Sequence, residues 1–263
     1  MRILVTNDDG ITAPGLWALV KEIAKVGEVI VVAPDREQSA VGTSVTLHQP
    51  LRVRAVRPVL QGIKTYTVEG TPADSVIIAL KLLLNRDVDL LLSGINEGPN
   101  LGNDVLISGT VGAALQGHFY GLSSIAISVA DMKKSKFDAA AKFSALLAQQ
   151  AASGNLPPGT LLNVNLPNRI LSQISGVEIT RLAQRNYSDR VKRGHDGKRD
   201  YYWIVRGRSE WKEEEGTDVW AIKQKKVSIT PLRRDLTRDE NTPNIEKLCS
   251  SLSQSLRTGN KAR

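Results

Sequence analysis

The chain has 263 residues, of which 41% are hydrophobic, and a formal net charge of +8 at pH 7. This length supports a sizeable core, either as one large domain or as one domain with an appendage. No apolar run approaches the roughly 18 residues that a membrane-spanning helix needs, and the start of the chain lacks the pattern of a signal peptide. We therefore expect a cytoplasmic protein, and the lone Cys249 fits a reducing compartment.

The first part of the chain alternates buried strands with helices. We predict strands at 3–6, 28–34, 88–93, 124–129 and 160–165, helices at 14–26, 71–84, 112–120 and 136–152, and extended segments at 45–56 and 64–69. Thr12 and Thr71 are the expected N-caps of the first two helices. The alternation predicts an α/β fold with a Rossmann-like, mostly parallel sheet and helices on both faces.

The pattern changes after Pro167. We predict strands at 177–182, 201–206 and 227–231, a protruding hairpin or flexible loop at 184–200, a helix at 245–256 and a frayed tail at 258–263. We therefore divide the chain into a Rossmann-like catalytic core at 1–183 and a C-terminal extension at 184–263. The extension contains the hairpin, a strand and a helix, and we expect it to serve oligomerisation.

The charge is distributed unevenly between these parts. Residues 1–130 contain 10 Lys and Arg against 12 Asp and Glu, whereas residues 131–263 contain 25 against 15. A basic surface attracts nucleic acid or a phosphorylated small molecule, and it also occurs as an ordinary solvated surface. Charge alone does not choose between these interpretations.

Polar, Gly-rich segments follow three of the predicted strands, at the point where each strand ends. Asp8 and Asp9 follow strand 3–6, and residues 35–44 and 93–104 follow the strands before them. In parallel α/β sheets, ligands bind beyond the carboxyl ends of the strands. Adjacent carboxylates repel each other unless a cation lies between them, and hard oxygen ligands suit Mg²⁺ or Mn²⁺. A solvated Asp-Asp-Gly turn is the alternative for the first segment alone.

Small residues at 108–114 open the helix that follows the third segment. The free amide groups and the dipole at such a helix start can hold a phosphate. An ordinary Ser/Thr-capped helix is the alternative. Because this start follows the segment that contains Asn96, we expect phosphate and metal to be neighbours.

Several common catalytic motifs are absent from the sequence. It contains no G-x-x-x-x-G-K-[ST], no G-x-G-x-x-G after a strand, and no H-E-x-x-H or paired cysteines for zinc. His48, His118 and His195 all lie outside the three polar segments, which argues against a Ser-His-Asp triad. Residues 201–203, Tyr-Tyr-Trp, fit either stacking on a base or packing in a hairpin.

A series of motifs in order along the chain resembles the SurE family of survival-protein nucleotidases. The motifs are Asn7–Gly10, Ala33–Arg36 with Gln38 and Ser39, Gly70–Asp74, Ser93–Asn96, Asn100–Gly102 with Asp104, Ser108–Val111, Gly216–Val219 and Val227–Leu232. They span nearly the whole chain, and together they are far more specific than any one of them. Ile107 and Gln116 stand where the family usually has Tyr and Glu.

The resemblance implies a metal-dependent phosphatase of nucleoside 5′- and 3′-monophosphates, with exopolyphosphatase activity in some members. It implies one divalent ion per subunit, Mg²⁺ or Mn²⁺, with the ligands Asp8, Asp9, Ser39 and Asn96. It also implies a phosphate cradle from Ser108, Gly109 and Thr110, beside Asn96. The C-terminal part would assemble the chain into a homodimer or a homotetramer.

We therefore expect a phosphomonoesterase that releases nucleoside and phosphate, in which Asp8 or Asp9 orients the attacking water or accepts its proton. We expect neither a membrane nor a nucleic acid as partner. The alternative is a non-catalytic basic protein whose binding to nucleic acid falls steeply with salt and needs no metal. A zinc-dependent sugar deacetylase would begin with His-x-Asp-Asp after a strand, but Thr6 stands in the position of that His.

Overall fold

The structure is a computed structural model that describes residues 1–131, 135–186, 189–205, 210–211, 213–237 and 243–259. The strands within these ranges are β1 (Arg2–Thr6), β2 (Glu28–Pro34), β3 (Val53–Ala55), β4 (Lys64–Val68), β5 (Leu90–Glu97), β6 (Ser123–Ala130), β7 (Leu161–Pro167), β8 (Val177–Ile179), β9 (Arg185–Asn186), β10 (Arg190–His195), β11 (Asp200–Val205), β12 (Glu210–Trp211) and β13 (Val227–Pro231). The helices are α1 (Pro14–Ile23), α2 (Pro72–Ile78), α3 (Gly109–Phe119), α4 (Phe137–Ala152), α5 (Asp218–Lys223) and α6 (Pro243–Gly259).

A nine-stranded sheet forms the centre of the fold, in the order β3-β4-β2-β1-β5-β6-β7-β13-β8. The strands from β4 to β7 pair in parallel, β3 is antiparallel to β4, and β13 is antiparallel to β7 and parallel to β8. The predicted α/β class and mostly parallel sheet are confirmed. Since β1 lies between β2 and β5, the polar segments that follow these three strands meet at one edge.

The core lies on both faces of the sheet. Alternate side chains of β1 point to opposite faces, so Ile3 and Val5 join the apolar cluster with Leu16 of α1. Leu4 joins the other cluster, with Val111 of α3. All five side chains are buried. The central strand is therefore fixed in position from both sides, and so is the point where it ends.

The chain divides into two compact units, residues 1–232 and 233–263. The predicted boundary at 183/184 lies inside the first unit, because β13 pairs with both β7 and β8 in the main sheet. The predicted hairpin is present as the antiparallel pair of β10 and β11. Within the described residues, no helix is long and apolar enough to cross a membrane.

The starts of the first two helices show different capping. Ala13, and not Thr12, precedes α1, and it makes no side-chain capping bond. Pro14 in the first turn already has the helical φ and needs no N–H partner, so a side-chain cap is dispensable there. Thr71 is the predicted cap of α2, and with Asp74 it forms a complete capping box.

Two predicted elements differ from those observed, for identifiable reasons. The helix expected at 112–120 begins at Gly109, because the Ser108 hydroxyl accepts a hydrogen bond from the Val111 N–H and caps it. Of the extended segment 45–56, only Val53–Ala55 is a strand. The residues before Val53 are not part of this strand. Among them, Thr46 donates its N–H and its hydroxyl to the Asp74 carboxylate, at 2.9 and 2.6 Å.

A buried network of amide side chains holds the segment that follows β5. The Asn100 N–H donates to Asn165 Oδ1 at 2.9 Å, and the Asn100 carbonyl accepts from Asn163 and Asn165 at 2.8 and 3.0 Å. The Asn100 side chain donates to Ser128 Oγ at 2.9 Å. Strands β6 and β7 thus fix the backbone of this segment through their polar side chains.

Asp218 adds a second attachment to the same segment. Its fully buried carboxylate accepts backbone N–H groups from Gly102 at 2.7 Å, Ala183 at 3.0 Å and Val219 at 2.8 Å. Burial raises the pKa of Asp218, and the three N–H donors oppose that shift. The start of α5 is therefore bonded to a segment that lies more than 100 residues earlier in the chain.

We predict that Asp218→Asn lowers the free energy of unfolding by about 1–3 kcal/mol, because the new amide NH₂ cannot accept an N–H and leaves a buried donor unpaired. Urea unfolding followed by circular dichroism measures the change. The matched control is Asp138→Asn, an exposed carboxylate in the first turn of α4, where less than about 1 kcal/mol is expected. Equal effects of the two substitutions would contradict the structural role of Asp218.

Candidate active site

Asp8 and Asp9 lie directly beyond β1, and each contacts a different neighbouring segment. Asp8 is 5% exposed, and its Oδ1 accepts a hydrogen bond from the hydroxyl of Thr110 in α3. The Asp8 carbonyl accepts the Gln38 N–H at 2.7 Å. Asp9 is half-buried, and its Oδ2 accepts the Glu97 N–H at 3.4 Å. The pair is thus the meeting point of three segments of the chain.

The surroundings of the two carboxylates disfavour negative charge. Burial raises the pKa of Asp8. Burial, followed by the charge of Asp8, raises the pKa of Asp9 from 3.8 to about 7, and Glu37 and Glu97 contribute in the same direction. Among the described residues, no Lys, Arg or His forms an ion pair with either carboxylate. Among those residues, no ion pair therefore offsets the repulsion between the two carboxylates when both are ionised.

The segment after β2 packs directly on the first one. Gly10 has φ of +92°, and a Cβ there would lie 2.9 Å from the backbone carbon of Arg36. Only glycine suits both the conformation and the contact. Ser39 follows Gln38, which is bonded to Asp8, and the exposed Ser39 hydroxyl donates to Glu37 Oε1 at 2.6 Å.

Asn96 reaches the site from the end of β5. Its side-chain NH₂ donates to the Gly98 carbonyl at 2.8 Å, which fixes the orientation of the amide and leaves Oδ1 as its available ligand atom. The next residue, Glu97, is the one bonded to Asp9. The Gly94–Ile95 peptide bond in this strand is cis. Ser39 is therefore one residue from a contact to the Asp8 main-chain carbonyl, and Asn96 is one residue from a contact to the Asp9 carboxylate.

The start of α3 lies against Asp8. A Cβ on Gly109 would lie 2.8 Å from the Asp8 Cβ, 3.0 Å from its Oδ2 and 3.1 Å from the Gln38 carbonyl oxygen. Thr110, which the family resemblance places in the phosphate cradle, is fully buried, and its hydroxyl donates to Asp8. Ser108 is the helix cap. The helix start that contains the three proposed cradle residues thus lies beside Asp8, and Thr110 donates to Asp8 itself.

The donor set at this edge fits a hard cation. Three of the five buried side-chain atoms without a hydrogen-bond partner among the described residues are oxygens of Thr6 and Asn7, at the end of β1, and of Ser93, the residue of β5 that pairs with Thr6. The described residues contain no group of three or more His, Cys, Asp or Glu that could hold a metal. A cation here would combine the two carboxylates with hydroxyl and amide oxygens, which suit Mg²⁺ or Mn²⁺ better than zinc.

Some residues of this region were not predicted from sequence. Glu37 and Glu97 increase the negative charge around the carboxylate pair. For Glu37, the acidic composition of the segment after β2 was the feature of the sequence that could have revealed this role. Asn163 and Asn165 hold the segment after β5. The sequence feature that could have revealed them is a pair of Asn residues two positions apart in a buried strand, a spacing that places both side chains on one face.

The remaining sequence candidates lie elsewhere. His195 is exposed in the β10–β11 hairpin, where its Nδ1 accepts the Gly197 N–H at 2.9 Å. His118 lies in α3, as predicted. Tyr202 and Trp203 are 62% and 64% exposed on β11, so they are not core residues of the sheet.

Comparison with known proteins agrees with this architecture. The family model described as "Survival protein SurE" matches residues 3–189. The chain is 50% identical over 238 residues to a protein of Dehalococcoides mccartyi strain CBDB1, with 90% of each chain covered, and 45% identical over 243 residues to one of Vibrio parahaemolyticus, with 92% of each covered. Both relatives are named 5′-nucleotidase SurE.

A solved structure, that of the SurE protein from Aquifex aeolicus, superposes with a TM-score of 0.80 at 40% sequence identity. The match covers 94% of this chain and 99% of that one. Sequence and fold thus lead to the same assignment over nearly the full length. The chain belongs to the SurE family.

Proposed function

We propose that this chain is a nucleotidase that hydrolyses nucleoside 5′-monophosphates, and also 3′-monophosphates, to nucleoside and phosphate with one bound divalent cation, Mg²⁺ or Mn²⁺. The observation that carries the proposal is the carboxylate pair of buried Asp8 and half-buried Asp9, which has no basic partner among the described residues. The names of the curated relatives support the same activity. Exopolyphosphatase activity stays an expectation from the family resemblance.

Asp8, Asp9, Ser39 and Asn96 are the residues that would hold the cation. Two carboxylates, a hydroxyl and an amide oxygen form a set of hard ligands. The three unpartnered oxygens of Thr6, Asn7 and Ser93, at and beside the end of β1, add polar character to the same region. When bound, the cation would supply positive charge for the phosphoryl oxygens and lower the pKa of water.

The chain's own groups account for the other requirements of phosphate hydrolysis. Asp9 is the more exposed of the two carboxylates, so it is the better placed to orient the attacking water and accept its proton. Ser108, Asn96 and the backbone N–H groups at the start of α3 would bind the phosphate and stabilise its developing charge. Asp8 and Asp9 are adjacent in the chain, which favours direct attack by water over a phosphorylated aspartate.

We also propose that the C-terminal part assembles the chain into a homodimer or a homotetramer. The outer surface of the β10–β11 hairpin is rich in apolar and aromatic groups, with Ile204 78% exposed. In the second unit, α6 has Ile245, Leu248 and Leu252 on one side of the helix, all more than half exposed. Exposed apolar surface of this kind is typical of an interface. A cytoplasmic location stays a prediction from the sequence.

We predict that Asp8→Asn and Asp9→Asn each abolish phosphate release from a nucleoside monophosphate in the presence of Mg²⁺ or Mn²⁺, because either change removes charge from the cation site. Phosphate release across several nucleotides and metals measures the effect, and circular dichroism checks that the fold is intact. Asp138→Asn, which changes an exposed carboxylate of α4, is the control. Full activity of both variants at saturating metal would falsify the assignment.

The raised pKa of Asp9 predicts a pH-dependent stability of the metal-free protein. Because the folded carboxyl ionises only near pH 7 and the unfolded one near pH 3.8, this group destabilises the fold increasingly as the pH rises from about 4 to 7. Asp9→Asn should therefore raise the free energy of unfolding at pH 8 by on the order of 1 kcal/mol, after allowance for solvent screening of a half-exposed group. Urea unfolding in EDTA at several pH values tests this. A gain that does not shrink toward acidic pH would contradict it.

Deleting residues 236–263 should shift the sedimentation profile toward smaller species, because it removes the apolar side of α6. Leu248→Asp with Leu252→Asp is the matched point variant, and it should act in the same direction. If the assembly state stays unchanged while affinity for nucleic acid is lost in a salt titration, the role in assembly is wrong and the binding-protein alternative is favoured.

A further inference from the structure

Thr110 makes a contact that a phosphate ligand could not make. Its side chain is fully buried, and its hydroxyl donates to Asp8 Oδ1. A hydroxyl has one proton to donate. Since that proton is used within the protein and solvent does not reach the side chain, the Thr110 hydroxyl is not available to a substrate that enters from solution.

The geometry of the side chain gives this contact a fixed direction. A threonine in a helix can donate its hydroxyl back to the carbonyl of the preceding turn. Thr110 instead donates across 102 positions of sequence, to the end of β1. Because a β-branched side chain is stiff at χ1, its burial fixes both the hydroxyl and the oxygen of Asp8 that accepts from it.

Gly109 makes the close approach possible. A Cβ at this position would lie 2.8 Å from the Asp8 Cβ and 3.0 Å from its Oδ2. Both distances are shorter than normal van der Waals contact, so a side chain at position 109 would displace Asp8. Asp8 also lies where the dipole of α3 favours negative charge, and the Thr110 N–H acts in the same direction on its pKa. The first turn of α3 therefore fits around Asp8.

We propose that Thr110 is a positioning residue for Asp8: its hydroxyl holds Oδ1 and so directs Oδ2 toward the cation. This inference rests on the proposed function, because it gives Asp8 the role of a cation ligand. It changes the role expected of Thr110 from the sequence, since phosphate would then be bound by other groups at this edge. Partners of this kind, which orient a metal ligand, typically change metal affinity by about 10- to 100-fold when they are removed.

The test compares Thr110→Val, which keeps the shape and loses the hydroxyl, with Thr110→Ser, which keeps the hydroxyl. Titration calorimetry with Mn²⁺ alone should show affinity weakened about 10- to 100-fold in the valine variant and largely restored in the serine variant. The Michaelis constant for the nucleotide at saturating Mn²⁺ should change little, while turnover falls. Ser144→Ala, which removes a buried hydroxyl from α4, should leave Mn²⁺ affinity unchanged.

Gly109→Ala provides a second way to displace Asp8, with the Thr110 hydroxyl intact. It should weaken Mn²⁺ binding in the same way, because the new Cβ meets Asp8. A metal-free double-mutant cycle of Thr110→Val with Asp8→Ala, measured by urea unfolding, should show that the two effects do not add. This cycle needs no cation, so it reports on the contact itself.

Three results would overturn the inference. A raised Michaelis constant with unchanged Mn²⁺ affinity in Thr110→Val would make Thr110 a phosphate ligand. A serine variant as impaired as the valine variant would show that the hydroxyl is not responsible. Additive effects in the double-mutant cycle would show that Thr110 and Asp8 do not interact. If the wild-type chain neither binds Mn²⁺ nor releases phosphate, the proposed function fails first, and the metal-free cycle alone then decides whether Thr110 holds Asp8.

Discussion

Two neighbouring carboxylates are enclosed at the end of the central strand, and the rest of the site is arranged around that constraint. Asp8 is almost fully buried, and burial together with the charge of its neighbour raises the pKa of Asp9 to about 7. Neither has a basic partner among the described residues. Because the neighbouring segments supply oxygens and backbone N–H groups, a cation from solution is the simplest source of the missing positive charge.

The scaffold holds this unfavourable arrangement from several directions. On one face the start of α3 provides a hydroxyl from Thr110 and the clearance of Gly109. On the far side of the site, Asn165 and Asp218 bind the backbone of the segment that follows β5. Asn96 lies at the end of β5, directly before that segment, so residues distant in sequence help to fix the backbone next to a proposed ligand. Rigid support of this kind is what a preorganised site requires.

The pattern of apolar residues was sufficient to predict the parallel sheet and the edge at which the polar segments meet. The same pattern carries no information on strand partners or on contacts between distant buried side chains. The division at 183/184 stays a prediction. The insertion of β13 (Val227–Pro231) between β7 and β8 was not visible in the sequence, because a short strand carries no signal of its partners. The family resemblance implied a place for Thr110 in the phosphate cradle, and that stays a prediction. The contact of its hydroxyl with Asp8 depends on an approach between distant segments, which the sequence does not show. The buried amides of β7 were visible in the sequence, but their target, Asn100, was not.

The most direct test of the central claim is anomalous diffraction from crystals of the protein grown with Mn²⁺. We expect one anomalous peak per subunit beyond the end of β1, within coordination distance of oxygens of Asp8, Asp9, Ser39 and Asn96. A manganese ion bound at another position, or a wild-type crystal with full density for these side chains and no peak between them at saturating Mn²⁺, would contradict it.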